Sequence, residues 1–319
     1  MRVLITGATG FVGGALLDHL ILNSSLALRA AVRGRVMLPV GVETVLVGDL
    51  SPEVEWKEAV SGVEVVIHTA ARVHVMNDSL VDPLTEFRRV NVEGTLRLAR
   101  QAADAGVRRF IFISSIKVNG EETNIGKPYT SDDIPMPIDP YGISKHEAEL
   151  GLMQLADETN LEVVIVRPVL VYGPDVKANF LSMMRWLYKG IPLPLGAIYN
   201  QRSLVALDNL VDLIMACIDH SAAANKVFLV SDDEDLSTTE LLQRTGYALG
   251  KSVLLLPVPH WLLTGSLKIL GKADLAQRLC GSLQVDISNT KELLGWIPPI
   301  SVDEGLRKTA EFFLCKSLR

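Results

Sequence analysis

The chain has 319 residues, 48% of them hydrophobic, and a formal net charge of −6. That length can bury a full core in one or two lobes, and the acidic balance argues against nucleic acid as the main partner. Three cysteines, Cys217, Cys280 and Cys315, show no metal-ligand spacing and cannot all pair, so no metal is expected and a reducing cytoplasm is the expected compartment.

Met1 opens directly into Arg2-Val3-Leu4-Ile5-Thr6, an apolar run with β-branched residues that predicts a buried strand instead of a basic-then-apolar leader. The strand runs into Gly7-Ala8-Thr9-Gly10-Phe11-Val12-Gly13-Gly14, and a helical pattern follows over 15–21. Glycines at 7, 10 and 13 allow a tight turn, close approach of a pyrophosphate and tight helix packing. The helix N-terminus would offer free N–H groups to the phosphates. The spacing departs from Gly-x-Gly-x-x-Gly, yet strand, glycines and helix occur in the order a dinucleotide site needs. Gly7, Thr9, Gly10, Phe11, Val12 and Gly13 are therefore candidate cofactor residues.

The next predicted strand, 28–32, ends in Arg33-Gly34-Arg35. A site for NAD(H) would place a carboxylate there, on the adenosine ribose. A guanidinium instead suits a 2′-phosphate through paired, charge-assisted hydrogen bonds. This favours NADP(H) over NAD(H), with Arg33 as the main contact and Arg35 as the second; two surface arginines without a ligand are the alternative.

Further strands are predicted over 44–47, 63–67, 109–113, 163–166 and 227–230, with helices over 83–105 and 140–157 between them. This alternation predicts an α/β fold with a doubly wound parallel sheet. The strand Phe110-Ile111-Phe112-Ile113 ends in Ser114-Ser115, at the carboxyl edge where such sheets bind ligands. Those serines could equally cap backbone groups. Asp139-Pro140 reads as an N-cap and first helical residue, so Tyr141 and Lys145 fall one turn apart on one face. A cation there would lower the phenol pKa and prepare it for proton exchange with an alcohol or ketone. Alone, the pair also fits a solvated helix face.

After Pro168 the alternation weakens. Residues 1–170 plus about 203–231 are expected to form the dinucleotide-binding unit, and about 171–202 and 232–319 a smaller α/β lobe closing a cleft. The apolar stretch 253–271 is interrupted by Pro257, Pro259, His260, Gly265 and Lys268, so no membrane span is expected. It fits a lobe-packing helix better than one resting on a membrane.

The chain resembles the extended short-chain dehydrogenase/reductases, in their nucleotide-sugar epimerase, dehydratase and reductase branch. The resemblance covers nearly the whole sequence. It runs from the glycine turn through Gly48-Asp49-Leu50, His68-Thr69-Ala70-Ala71, Asn91-Val92-Glu93-Gly94-Thr95, Ser114-Ser115 and Tyr141 to Lys145. It continues through Arg167-Pro168, Val171-Tyr172-Gly173-Pro174 and Leu293-Leu294-Gly295-Trp296. It implies that Tyr141 is the acid/base, that Lys145 contacts the nicotinamide ribose and tunes the phenol, and that Ser115 contacts the reacting oxygen. It also implies cofactor contacts from Asp49 and Leu50, flanking the adenine, and from Ala70, Ala71 and Pro168. For a UDP-sugar, the resemblance implies diphosphate contacts from Asn179, Arg202 and Arg278, with Leu195 in an apolar loop beside the uracil. Arg278 lacks the acidic residue usual near it.

Two reactions at sugar C4 compete on this reading. The arginines after 32 favour reduction of a UDP-4-keto-6-deoxy-N-acetylhexosamine for bacterial surface polysaccharide (O-antigen) synthesis. The alternative is a UDP-glucose or UDP-N-acetylglucosamine 4-epimerase with retained NAD. A dehydratase is disfavoured because Ser115 is followed by Ile116-Lys117 and not by an acidic pair. Reduction of a steroid or flavonoid ketone, and a non-catalytic dinucleotide-binding regulator, are remoter readings. The resemblance also implies a homodimer through the 83–105 and 140–157 helices.

Overall fold

The computed structural model describes all residues except 24, 74–81, 270, 272 and 318–319. In chain order the strands are β1 (Arg2–Thr6), β2 (Ala27–Val32), β3 (Val42–Leu46), β4 (Val65–His68), β5 (Arg109–Ile113), β6 (Glu162–Pro168), β7 (Leu170–Tyr172), β8 (Arg202–Ala206), β9 (Lys226–Val230) and β10 (Asp235–Leu236). Seven of them form one sheet in the order β3-β2-β1-β4-β5-β6-β9, with every neighbouring pair parallel.

Burial on both faces explains why the inner strands β1, β4, β5 and β6 read as near-continuous apolar runs, whereas the edge strand β3 is mostly exposed. On β5, Ile111 and Ile113 enter one core, which Leu16, Leu20 and Leu210 join. Phe110 and Phe112 enter the other, against Leu98, Ala148 and Leu152. The chain leaves β1 in one direction for β2 and later resumes on its other side with β4. Such a reversal opens a crevice beyond the carboxyl ends of β1 and β4.

The helix expected over 83–105 is one continuous helical run with a change of pitch. Pro83–Phe87 leads into a π-helical stretch, Arg88–Gly94, and then into the α-helix Thr95–Asp104. The second expected helix spans Pro140–Glu158, with the Asp139 side chain accepting from the Gly142 N–H as its N-cap.

A second sheet, β10-β8-β7, has its own core, including Tyr172, Phe180, Leu195, Leu204, Leu236 and Leu306. β8 pairs here, although its residues were grouped by sequence with the dinucleotide unit. The helix that follows, Leu207–Asp219, returns to the large-sheet core through Leu210, Leu213 and Ile214. Within the interrupted apolar stretch lies the ten-residue helix His260–Ile269. Among the described residues, no helix is long and apolar enough to cross a membrane.

Candidate active site

Gly7 lies just past β1 at φ 71°, a conformation that disfavours a side chain. A Cβ on Gly13 would sit 2.3 Å from the Gly7 carbonyl oxygen and 2.6 Å from Thr69 Oγ1. The start of the helix Phe11–Asn23 is thereby pressed against both β1 and the chain leaving β4, with no room for a methyl group. A cavity of about 300 Å³ opens beside this turn. Thr6, Gly7, Thr9, Arg33, Arg35, Leu50 and Ala70 line it, so seven sequence-predicted or adjoining residues converge at the switch point. Phe11, Val12 and Gly13 begin the helix behind the turn, and Ala71 follows Ala70. Asp49 is not part of the lining; its carboxylate lies 3.5 Å from the Arg33 guanidinium, with both side chains largely exposed. The fit to a dinucleotide is good. A backbone cradle closed to a Cβ at Gly7 and Gly13 opens on a largely apolar cavity whose wall also carries the cations Arg33 and Arg35.

The second group of residues gathers at the carboxyl end of β5. Lys145 is 1% exposed, and its Nζ donates to the Ile113 carbonyl at 2.8 Å while lying 4.2 Å from the Phe112 ring centre. The same Nζ is 6.0 Å from the Tyr141 ring centre, so helix spacing brings phenol and amine together as expected. Ser115 follows two residues after Ile113 in extended conformation, and its Oγ accepts from the Lys117 N–H at 3.3 Å. Pro168 ends the neighbouring strand β6.

The electrostatics differ from the expectation that the cation lowers the phenol. Burial pushes the Tyr141 phenol up, and the nearby Asp139 carboxylate adds to the shift. Burial also pulls the Lys145 amine down to about 7, with Glu149 opposing the change. Desolvation is the leading cause of both shifts, most plainly for Lys145, which is buried, while Tyr141 is half-buried. An amine whose charged form burial disfavours is a weaker partner for a phenolate. In this state Tyr141 is a protonated acid.

Several side chains that sequence reasoning left without a role hold the site in place. His68, fully buried, has Nδ1 2.7 Å from Thr6 Oγ1 and Nε2 2.9 Å from Thr95 Oγ1. Burial, with Lys145 nearby, keeps its ring neutral by lowering its pKa to about 3. Asn91, in the π-helical stretch, donates to the Arg72 carbonyl and to Ser144 Oγ, both at 3.0 Å, so it ties the chain after β4 to the Tyr141 helix. Ser114 Oγ donates to the buried Glu149, which accepts from Arg167 Nε at 3.0 Å. Arg167 in turn donates to Asn119 Oδ1 at 3.0 Å. Lys117 bonds to Asp139 and, at 3.0 Å, to Glu121. His68 and Asn91 stood within motifs quoted for the family. The Lys117–Asp139 link joins residues 22 apart, and no local pattern announces it.

The smaller lobe shows a mixed arrangement. Arg202 Nη1 donates to the carbonyls of Arg278 and Gly281 at 3.2 and 3.1 Å, so the two expected arginines are neighbours. Burial lowers the Arg202 pKa. Arg278 and Asn179 are exposed. Leu195 is 7% exposed within the small-sheet core, where it supports its loop from below. The chain after Ser115 reaches this lobe directly: Thr123 N–H donates to the Ser282 carbonyl, and Tyr129 N–H to that of Gln284, both at 2.8 Å.

Residues 3–231 match the family described as Epimerase: NAD dependent epimerase/dehydratase family. The chain belongs to that family. Among curated relatives, a UDP-glucose 4-epimerase of Vibrio cholerae is 52% identical over 313 residues, covering 98% of this chain and 95% of the relative. The structure of a Thermotoga maritima UDP-glucose 4-epimerase with UDP-glucose superposes with a TM-score of 0.77 at 25% identity, covering all of both chains. That of a Bacillus cereus UDP-glucuronic acid 4-epimerase with NAD gives a TM-score of 0.78 at 20% identity, covering 98% of this chain and 96% of the other, and bears on the fold alone. Membership of an NAD-dependent family makes a nicotinamide dinucleotide the cofactor class of this chain.

Proposed function

We propose that this chain is a UDP-sugar 4-epimerase that keeps its dinucleotide between turnovers. The observation that carries this reading is the 52% identity to a UDP-glucose 4-epimerase along 98% of the chain. It favours the reaction that the arginines after β2 ranked second over reduction of a 4-keto sugar. In this reading the glycine turn and the residues around the cavity hold the dinucleotide, which supplies redox chemistry at C4 when bound. Tyr141 exchanges a proton with the C4 oxygen, Ser115 Oγ hydrogen-bonds that oxygen, and Lys145 extends from the Tyr141 helix to the end of β5. Arg278, together with the Arg202 N–H groups that are not donated to the Arg278 and Gly281 carbonyls, meets the diphosphate, with Asn179 beside it. These roles are supported by two of the three sharing a helix face and by Ser115 lying two residues beyond the Ile113 carbonyl that accepts from Lys145.

A second reading, an NADPH-dependent 4-keto-sugar reductase, is favoured by the placement of Arg33 and Arg35 on the cavity wall. One experiment separates the two. Purified protein is incubated with UDP-glucose or UDP-N-acetylglucosamine without added cofactor and followed by NMR. Interconversion of C4 isomers is expected. No isomerisation, together with stoichiometric NADPH consumption on a 4-keto UDP-sugar, would establish the reductase instead.

A further inference from the structure

The smaller lobe carries a surface that no step above uses. Trp186 (51% exposed), Ile191, Leu254, Leu256, Trp261 (72%) and Leu262 all present large apolar side chains to solvent. Backbone hydrogen bonds link them into one region. Ile191 N–H donates to the Trp186 carbonyl, Leu193 N–H to Leu254, Leu256 N–H to Leu193, and Leu262 N–H to Pro259. Beneath lie Leu187, Leu193 and Leu263, which belong to the small-sheet core. The outward residues are therefore a second apolar layer, not core side chains displaced from it.

Charge is sorted in the same way. Residues 176–206 and 241–273 contain eight Lys or Arg and no Asp or Glu, in a chain whose net charge is −6. Arg244 is neutralised by Glu234 and Asp303, and Arg202 points inward to backbone carbonyls. Arg185, Lys189, Lys251 and Lys268 are exposed, and none of the four forms an ion pair among the described residues. Lys251 stacks over the Tyr188 ring at 4.8 Å, which sets a cation at the edge of the patch.

We infer that this face docks on an anionic lipid surface. Two tryptophans and four leucines or isoleucines, rimmed by unpaired cations, match the composition of interfacial elements. Apolar side chains enter the acyl boundary while Lys and Arg meet the headgroups. The charge sorting selects the occupant. The remainder of the chain is acidic and is repelled by anionic headgroups, so only this face can approach them. No membrane span is involved: the element is the ten-residue helix His260–Ile269 with its flanking segments, lying in the interface.

The test is cosedimentation of the full-length protein with vesicles of phosphatidylcholine alone, or of phosphatidylcholine mixed with phosphatidylglycerol. Binding to the mixed vesicles, reversed by high salt, is expected, with little binding to phosphatidylcholine. Partitioning should fall at least about tenfold in a Trp186→Ser/Trp261→Ser variant and in a Lys251→Glu/Lys268→Glu variant. The lysine pair is wholly at the surface, so it serves as the test if the tryptophan pair fails to fold. Equal binding of wild type and lysine variant, or no binding to mixed vesicles at low salt, overturns the inference. So does the finding, by sedimentation velocity, that the patch mediates self-association in protein that ignores vesicles.

Discussion

Replacing Lys145 by Met should change how stability depends on pH in a way that reports directly on the buried amine. The wild-type residue is 1% exposed, and its pKa falls from 10.5 in the unfolded chain to about 7 in the folded one. Between those values the unfolded chain binds the extra proton, so stability rises with pH across that window. Below about 7 both states are protonated and the cost of burying the ammonium is fully present. From pH 7 to pH 9 the amine alone should add about 2 kcal/mol to wild-type stability, each pKa unit being worth about 1.4 kcal/mol. The Met side chain fills similar volume and does not titrate. Its loss of the bond to the Ile113 carbonyl adds an offset that is nearly independent of pH. Urea denaturation of both proteins at the two pH values, compared as a double difference, removes the contribution of other titrating groups. Parallel behaviour of wild type and variant would refute the claim that burial depresses this amine.

Tyr141→Phe should retain dinucleotide binding, measured by fluorescence titration, while turnover falls by roughly 10²–10⁴-fold, the usual worth of general acid–base catalysis; near-normal turnover would remove the proton from that phenol. Gly13→Ala should abolish dinucleotide binding, read by calorimetry, because the new methyl would lie 2.3 Å from the Gly7 carbonyl oxygen. Arg33→Ala should weaken NADPH binding about tenfold or more while leaving NADH unchanged if this guanidinium meets a 2′-phosphate. Equal affinity of wild type for both cofactors would assign Arg33 only to its contact with Asp49.

The large sheet was legible because its inner strands are buried on both faces and are bounded by glycine, proline or a helical pattern, although the edge strand β3 is mostly exposed. β1, the glycine turn and the helix behind it form one local unit, as do Asp139, Pro140, Tyr141 and Lys145. The small sheet was not legible. Its strands have three, five and two residues, and they come from parts of the chain separated by helices. Periodicity over two or three residues carries no signal. The pitch change at Arg88–Gly94 was also hidden, and the bonds that Asn91 makes from within it, to Arg72 and Ser144, join distant parts of the chain. The phenol's electrostatics failed for a related reason. Sequence spacing reveals a neighbouring charge but not how far each group is withdrawn from water, and here desolvation decides the sign.

The two anchors around Ser115 have a consequence for stereochemistry. On one side Ser114 is tied to Glu149 and through it to Arg167; on the other, Lys117 is tied to the N-cap of the helix bearing Tyr141. Hydroxyl and phenol thus belong to one stiff frame that cannot swing from one side of a sugar to the other. Inversion at a carbon presented to such a frame requires the guest to turn over while its host stands still. Room for that rotation must then come from the loops of the smaller lobe.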